Sequence, residues 1–192
     1  FSGKAGTTVR FTNPGSVDGF AGTAAPVAGG FDNMNGFTGN PFSGNDTLVT
    51  PDVPGLFTHN GTGGVFTNLA TGQTMTYANV DVLQAGSAAD TFNVLSITAA
   101  LTINGGAGDD TITVASDAPG AGADRGAFAG NLTVIGGDGA DYFRLNGTPA
   151  DEAVTARVSG PGTGDVLGAT PSPLITLTFA TLEQFFFDGR GG

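Results

Sequence analysis

The chain has no cysteine, no tryptophan, one histidine and charged side chains at only 12% of its 192 positions. Each shortage excludes something. Without cysteine there are no disulfides and no thiolate metal sites, so the fold must be held by packing and hydrogen bonds. Lys4 is the only lysine and His59 the only histidine, which leaves little for nucleophilic or general-base chemistry, and no GxSxG nucleophile motif is present. His59 itself lies in Thr58-His59-Asn60-Gly61 and reads as a surface-loop residue. Basic residues are outnumbered by seventeen acids to six, for a formal net charge of −11. Such a surface repels phosphate backbones and anionic lipid and favours cations, so no nucleic-acid partner is expected. No apolar run approaches the roughly 18 residues of a membrane helix, and no membrane insertion is expected. The opening Phe1-Ser2-Gly3-Lys4 has neither an initiator methionine nor the layout of a signal peptide, which suggests a processed chain or a piece of a longer one.

Glycine is what the chain has in excess, at 34 positions, with 10 prolines. These residues break nearly every candidate for a helix, and no stretch of ten or more residues shows apolar spacing at three and four with good helix formers. Between them stand short runs rich in β-branched residues: Leu101-Thr102-Ile103, Thr111-Ile112-Thr113-Val114, Leu132-Thr133-Val134-Ile135, Tyr142-Phe143-Arg144-Leu145 and the run from Leu174 to Phe179. An all-β fold follows.

The turns between these runs repeat. Gly105-Gly106-Ala107-Gly108-Asp109-Asp110-Thr111-Ile112-Thr113 returns as Gly136-Gly137-Asp138-Gly139-Ala140-Asp141-Tyr142-Phe143-Arg144. Both fit GGxGxDxUx, a turn, a hard oxygen ligand and a core anchor in nine residues. A weaker copy runs from Ala85 to Asn93 around Asp90, and a remnant, Gly44-Asn45-Asp46-Thr47-Leu48, lies upstream. The aspartates Asp46, Asp90, Asp110 and Asp141 are spaced by 44, 20 and 31 residues. Tandem nonapeptides would give nine. Spacings of 20 and 31 match one circuit of a wide parallel β-helix, which would align Leu101 and Ile103 with Leu132 and Val134, and Ile112 and Val114 with Phe143 and Leu145. Thr102, Thr113 and Thr133 would then face solvent.

Tyr77-Ala78-Asn79-Val80-Asp81 resembles Phe179-Ala180-Thr181-Leu182-Glu183 at an offset of 102. Continued with one gap, the same alignment sets Gly189 to Gly192 as a cassette cut before its aspartate, as in a fragment of a longer repeat protein. Residues 1–74 hold eight of the fifteen phenylalanines and are read as irregular N-terminal coils or a cap, with the repeats filling 75–192. The expected fold is a right-handed parallel β-helix or β-solenoid, with a β-sandwich as the alternative.

Calcium needs six to eight oxygens, and the cassettes offer carboxylates beside exposed turn carbonyls. Candidate ligands are Asp90, Asp109, Asp110, Asp138 and Asp141, with carbonyls from Gly106, Gly108, Gly137 and Gly139. The alternative for each aspartate is acceptance of backbone N–H bonds within its own turn, which needs no metal. Arg144 reads as a solvated strand residue. Four Asn-x-Thr sites, at Asn45, Asn60, Asn131 and Asn146, match the glycosylation pattern, as chance would allow in so Asn- and Thr-rich a chain.

The GGxGxD cassettes resemble the hemolysin-type calcium-binding repeats of bacterial secreted proteins, and the wider organisation is similar to repeat-rich bacterial surface proteins. That resemblance implies calcium in the turns, an extracellular or cell-surface location and an extended stalk, filament or adhesin. The expectation is a non-enzymatic structural protein, calcium-stiffened, that self-associates and contacts surface polysaccharide. The competing expectation is a carbohydrate-binding or polysaccharide-cleaving parallel β-helix.

Overall fold

A computed structural model describes residues 6–24, 27–42, 45–114, 130–146, 153–169 and 177–188. Residues 174–176 of the last sequence run and the shortened cassette at 189–192 lie outside them. Among the described residues the chain is all β, with no helix. Its strands are β1 Thr8–Pro14, β2 Phe20–Ala24, β3 Val27–Met34, β4 Gly36–Thr38, β5 Thr47–Val49, β6 Gly55–Asn60, β7 Gly63–Asn68, β8 Thr74–Ala78 and β9 Val82–Gln84. There follow β10 Thr91–Val94, β11 Leu101–Ala107, β12 Thr111–Val114, β13 Leu132–Asp138, β14 Tyr142–Asn146, β15 Ala153–Gly160, β16 Thr163–Ala169, β17 Leu177–Ala180 and β18 Gln184–Asp188.

The strands make two mixed sheets. A ten-stranded sheet has the order β15-β16-β17-β13-β11-β9-β5-β1-β2-β3, and an eight-stranded sheet the order β18-β14-β12-β10-β6-β7-β8-β4. From β9 onward the chain passes alternately through the two sheets, apart from the β15–β16 hairpin, and each pass lies parallel to the one before. We call one such pass through both sheets a circuit. Leu101 and Ile103 stand opposite Leu132 and Val134, and Ile112 and Val114 opposite Phe143 and Leu145, the correspondence expected from the sequence.

Period-two patterning makes these strands. In β11 the buried Leu101, Ile103 and Gly105 alternate with half-exposed Thr102 and Asn104. Successive circuits stack their inward residues into files. One runs Val9, Leu48, Leu83, Ile103, Val134, Phe179 through the ten-stranded sheet. Another runs Phe57, Phe92, Ile112, Phe143, Phe185 through the eight-stranded sheet. Both belong to one apolar cluster that reaches from Val9 to Leu182.

The N-terminal third is built differently: β1-β2-β3 and β6-β7-β8 are antiparallel meanders. Phe11, Phe20, Phe37, Phe57 and Phe66 are buried, where Phe11 meets Phe20 and the partly buried Phe31 edge-on and Phe66 lies against Phe20 and Phe57, whereas Phe42 is 94% exposed. Strand β8 spans the 74/75 boundary drawn from the sequence, and the apolar cluster crosses it too. His59 is also placed differently from the sequence expectation. The turn begins only after Asn60, so His59 is an inward strand residue, 2% exposed, opposite Val94 and beside the Tyr77 ring. Burial holds it neutral, with its pKa lowered to about 4.

Candidate functional site

The cassette turns carry the chain from one sheet to the other. Gly106 and Gly108 take φ of +98° and +104°, and Gly137 and Gly139 take +120° and +142°, a region that favours glycine. The following neighbours then point to opposite sides. Asp109 is exposed, whereas Asp110 is 1% exposed and faces inward. The first glycine of each cassette makes room for that inward carboxyl: a Cβ on Gly105 would lie 2.1 Å from Asp110 Oδ2, and one on Gly136 2.4 Å from Asp141 Oδ2.

Each inward carboxyl accepts a backbone N–H from the preceding circuit. Gly55 N–H donates to Asp90 Oδ1 (2.7 Å), Asp90 N–H to Asp110 Oδ1 (2.8 Å), Asp110 N–H to Asp141 Oδ1 (2.9 Å), and Asp141 N–H to Glu183 Oε2 (2.6 Å). The sequence offered bonding within a single turn as the alternative to a metal, and Gly86 of Asp90's own turn does add a backbone bond to that carboxyl; these four bonds run between turns. They form one carboxyl file along the entry to the eight-stranded sheet.

A second, shorter file guards the entry to the ten-stranded sheet. Thr7 N–H donates to Asp46 Oδ1 (2.8 Å) and Asp46 N–H to Asp81 Oδ2 (2.8 Å). Asp46, grouped with the other three aspartates by sequence, therefore belongs elsewhere: it precedes β5, whereas they precede strands of the opposite sheet. Its 44-residue distance to Asp90 is not a rung of the file, whose preceding position is Gly55.

Both files end on the pentapeptides that repeat at offset 102. Asn79 and Thr181 take φ of +51° and +52°, Val80 and Leu182 are each 5% exposed, and Asp81 and Glu183 supply the final carboxylates. Sequence reasoning saw this repeat but not its role. Its signal was an acid two residues after a left-handed turn position.

Asp90 and Asp110 are pushed up to about 7, chiefly by burial. Their backbone bonds oppose the rise, and neighbouring acids add to it: Asp110 and Asp52 act on Asp90, and Asp141 and Asp109 on Asp110. Burial raises Asp141 as well. The second oxygen, Oδ2, of each of these three is buried without a hydrogen-bond partner among the described residues.

The residues predicted as calcium ligands are thus divided. Asp90, Asp110 and Asp141 lie inside, each with Oδ1 committed to an amide. Asp109 and Asp138 are exposed, and Asp109 Oδ1 accepts the Ala140 N–H at 2.9 Å. The Gly106 and Gly108 carbonyls face the next circuit, where a Cβ on Gly137 or Gly139 would meet them at 1.9 and 2.2 Å. Among the described residues no three acidic or histidine side chains converge as a metal site. Each buried aspartate keeps one uncommitted oxygen, Oδ2, where a calcium shell takes six to eight, so an ion in these turns would need further oxygens from carbonyls, from the exposed Asp109 and Asp138, or from water.

No protein-family model matches the chain, and no curated protein or solved structure matches it either. Its own residues must carry the functional reading. The files tie circuit to circuit, so Asp110→Ala, which strands the buried Asp90 N–H, is expected to cost about 1–3 kcal/mol. Asp110→Asn keeps a carbonyl acceptor and should cost less than half of that. Urea denaturation compares the two, and equal losses would remove the bond from the account.

Proposed function

We propose that the protein is a non-enzymatic, extracellular structural protein: a right-handed parallel β-solenoid that self-associates into a filament or surface layer. The observation that carries this reading is the residue-for-residue parallel stacking of successive circuits, pinned by a carboxyl in each turn. Stacked repeats add length without needing a larger core, which suits a spacer or filament. Catalysis has little to work with, since His59 is buried and neutral. Backbone N–H groups do in these turns what a cation does in calcium-binding repeats, so stiffness in this reading comes from the chain itself.

Self-association is favoured by the unequal ends of the stack. Beyond β17 the ten-stranded sheet is covered by the antiparallel β15–β16 hairpin. In the eight-stranded sheet, β18 is the edge, with no described strand on its outer side and Phe186 47% exposed. An open edge of this kind invites another strand. Light scattering is expected to show concentration-dependent assembly, unchanged by chelator and weakened by Phe186→Lys, with filaments or sheets in electron micrographs. A chain that stays monomeric at high concentration would refute assembly.

A second reading, carbohydrate binding, is favoured by one groove on the outside. Arg10, Asp52, Gln84, Asn104, Asp138 and Thr181 contribute to its wall, a mixture of acids, amides and a guanidinium suited to sugar hydroxyls. Among the described residues no aromatic ring lines it. Binding in a glycan array, lost in Arg10→Ala, would favour this reading.

A further inference from the structure

We propose that the cavity beside His59, at the corner where the eight-stranded sheet hands the chain to the ten-stranded one, binds a single ring of a neutral sugar. His59 Nδ1 accepts a hydroxyl and Phe42 offers the stacking face. The site needs neither self-association nor the groove around Arg10.

One unpaired nitrogen carries the inference. His59 lines a cavity of about 210 Å³ and is itself only 2% exposed. Its Nε2 lies 3.2 Å from the Gly61 carbonyl oxygen, which can only accept, so Nε2 holds the proton and donates. Nδ1 is then a lone-pair acceptor, and among the described residues no donor reaches it. Burial lowers the pKa of the ring to about 4, so Nδ1 stays an acceptor in neutral solution. The ring is held in place by the Tyr77 ring, at a centroid distance of 5.9 Å and an interplanar angle of 19°, on a strand paired on both sides. A buried acceptor without a donor is destabilising, and a ligand hydroxyl would answer it.

The mouth of the cavity supplies what a sugar ring needs beyond one hydrogen bond. Phe42 lines it and is 94% exposed, although the loop that carries this ring is fastened. Asn40 N–H donates to the buried Asp46 Oδ2 (2.5 Å), and Phe42 N–H donates to Asn40 Oδ1 (3.0 Å). An aromatic face fixed at the entrance of a polar cavity can take the C–H face of a sugar while the hydroxyls turn to polar groups. Asn40, Asn79 and Asp81 place such groups in the wall. Among the described residues the wall holds an acid and no lysine or arginine, which disfavours a phosphate or a uronate. The volume lies below the roughly 300 Å³ at which sites for drug-sized ligands begin, so it suits one ring and not a chain of them.

His59 is the only histidine, so isotope labelling gives a single imidazole whose Nδ1 signal reports the site directly. The full chain is titrated with the methyl glycosides of glucose, galactose, mannose and N-acetylglucosamine, and with methyl glucuronide as the anionic comparison. At least one neutral glycoside should shift the Nδ1 signal to saturation, with a dissociation constant on the order of 1 to 10 mM for so small a ligand. Phe42→Ala, which removes an exposed ring and should leave the melting temperature unchanged, is expected to weaken binding by roughly threefold or more. His59→Phe, followed by saturation transfer from protein to glycoside, should weaken it by a similar factor. Arg10→Ala should leave it unchanged, which separates this cavity from the outer groove. No shift with any neutral glycoside overturns the proposal, as does binding that survives Phe42→Ala undiminished or is lost in Arg10→Ala. Glucuronide binding as tight as that of the neutral glycosides would overturn the assignment of a neutral ligand.

Discussion

Phe92→Ala should cost about 3–5 kcal/mol, among the largest losses available to a single truncation. Phe92 is fully buried and its ring stacks on Phe57 at a centroid distance of 4.3 Å and an interplanar angle of 7°. It is also an interior rung, with Phe57 on one side and Ile112 on the other. The strands carrying those neighbours are hydrogen-bonded to β10 in fixed register, so they cannot close over the missing ring, and a cavity remains. Phe186→Ala is the contrast. That ring is 47% exposed on an edge strand, and its loss should change monomer stability by no more than about 0.5 kcal/mol. Urea titration of both variants checks the pair, and similar losses at the two positions would contradict the interior file.

Gly137→Ala should cost about 3 kcal/mol or more, for two reasons that add. Its φ of +120° is strained for any residue with a side chain, worth about 1–3 kcal/mol. The new Cβ would also sit 1.9 Å from the Gly106 carbonyl oxygen and 2.8 Å from its carbon, so two stacked turns would have to separate, for about another 1–3 kcal/mol. Gly72→Ala isolates the first cause: it too has positive φ, at +76°, but nothing lies within 4 Å of its Cβ position. It should lose about 1 kcal/mol. Thermal and urea unfolding would measure both, and a Gly137→Ala variant no worse than Gly72→Ala would remove the close approach of the turns from the account.

The strands after Met75 were legible because inside and outside alternate cleanly there. Leu101, Ile103, Leu132 and Val134 pair as their spacing in the sequence implies, since a parallel stack repeats one environment circuit after circuit. The N-terminal third was not legible in the same way. Its antiparallel meanders bring together phenylalanines distant in sequence, as Phe20 lies against Phe66, and no local period reports such contacts. His59 was misplaced because Asn60-Gly61 is a turn signal that acts only after the strand has ended. In the candidate site, the cassette aspartates were found from their spacing. Their partners were not, because the acceptor for each N–H comes from another circuit, 20 to 42 residues away. Glu183 was seen as part of a repeat while its glycine-free surroundings hid its kinship with Asp141.

The carboxyl files also bear on how the chain keeps count of itself. A parallel strand that slips by two residues still hides its apolar side chains, so burial alone cannot tell the right alignment from the next one along. A slip of two at β14 would carry the Asp141 carboxyl away from the Asp110 amide and leave that N–H buried and unanswered. Each aspartate thus resets the phase of the strand that follows it. The stretch between two resets is free to lengthen, as it does from 20 residues between Asp90 and Asp110 to 31 between Asp110 and Asp141, without passing any error to the next circuit.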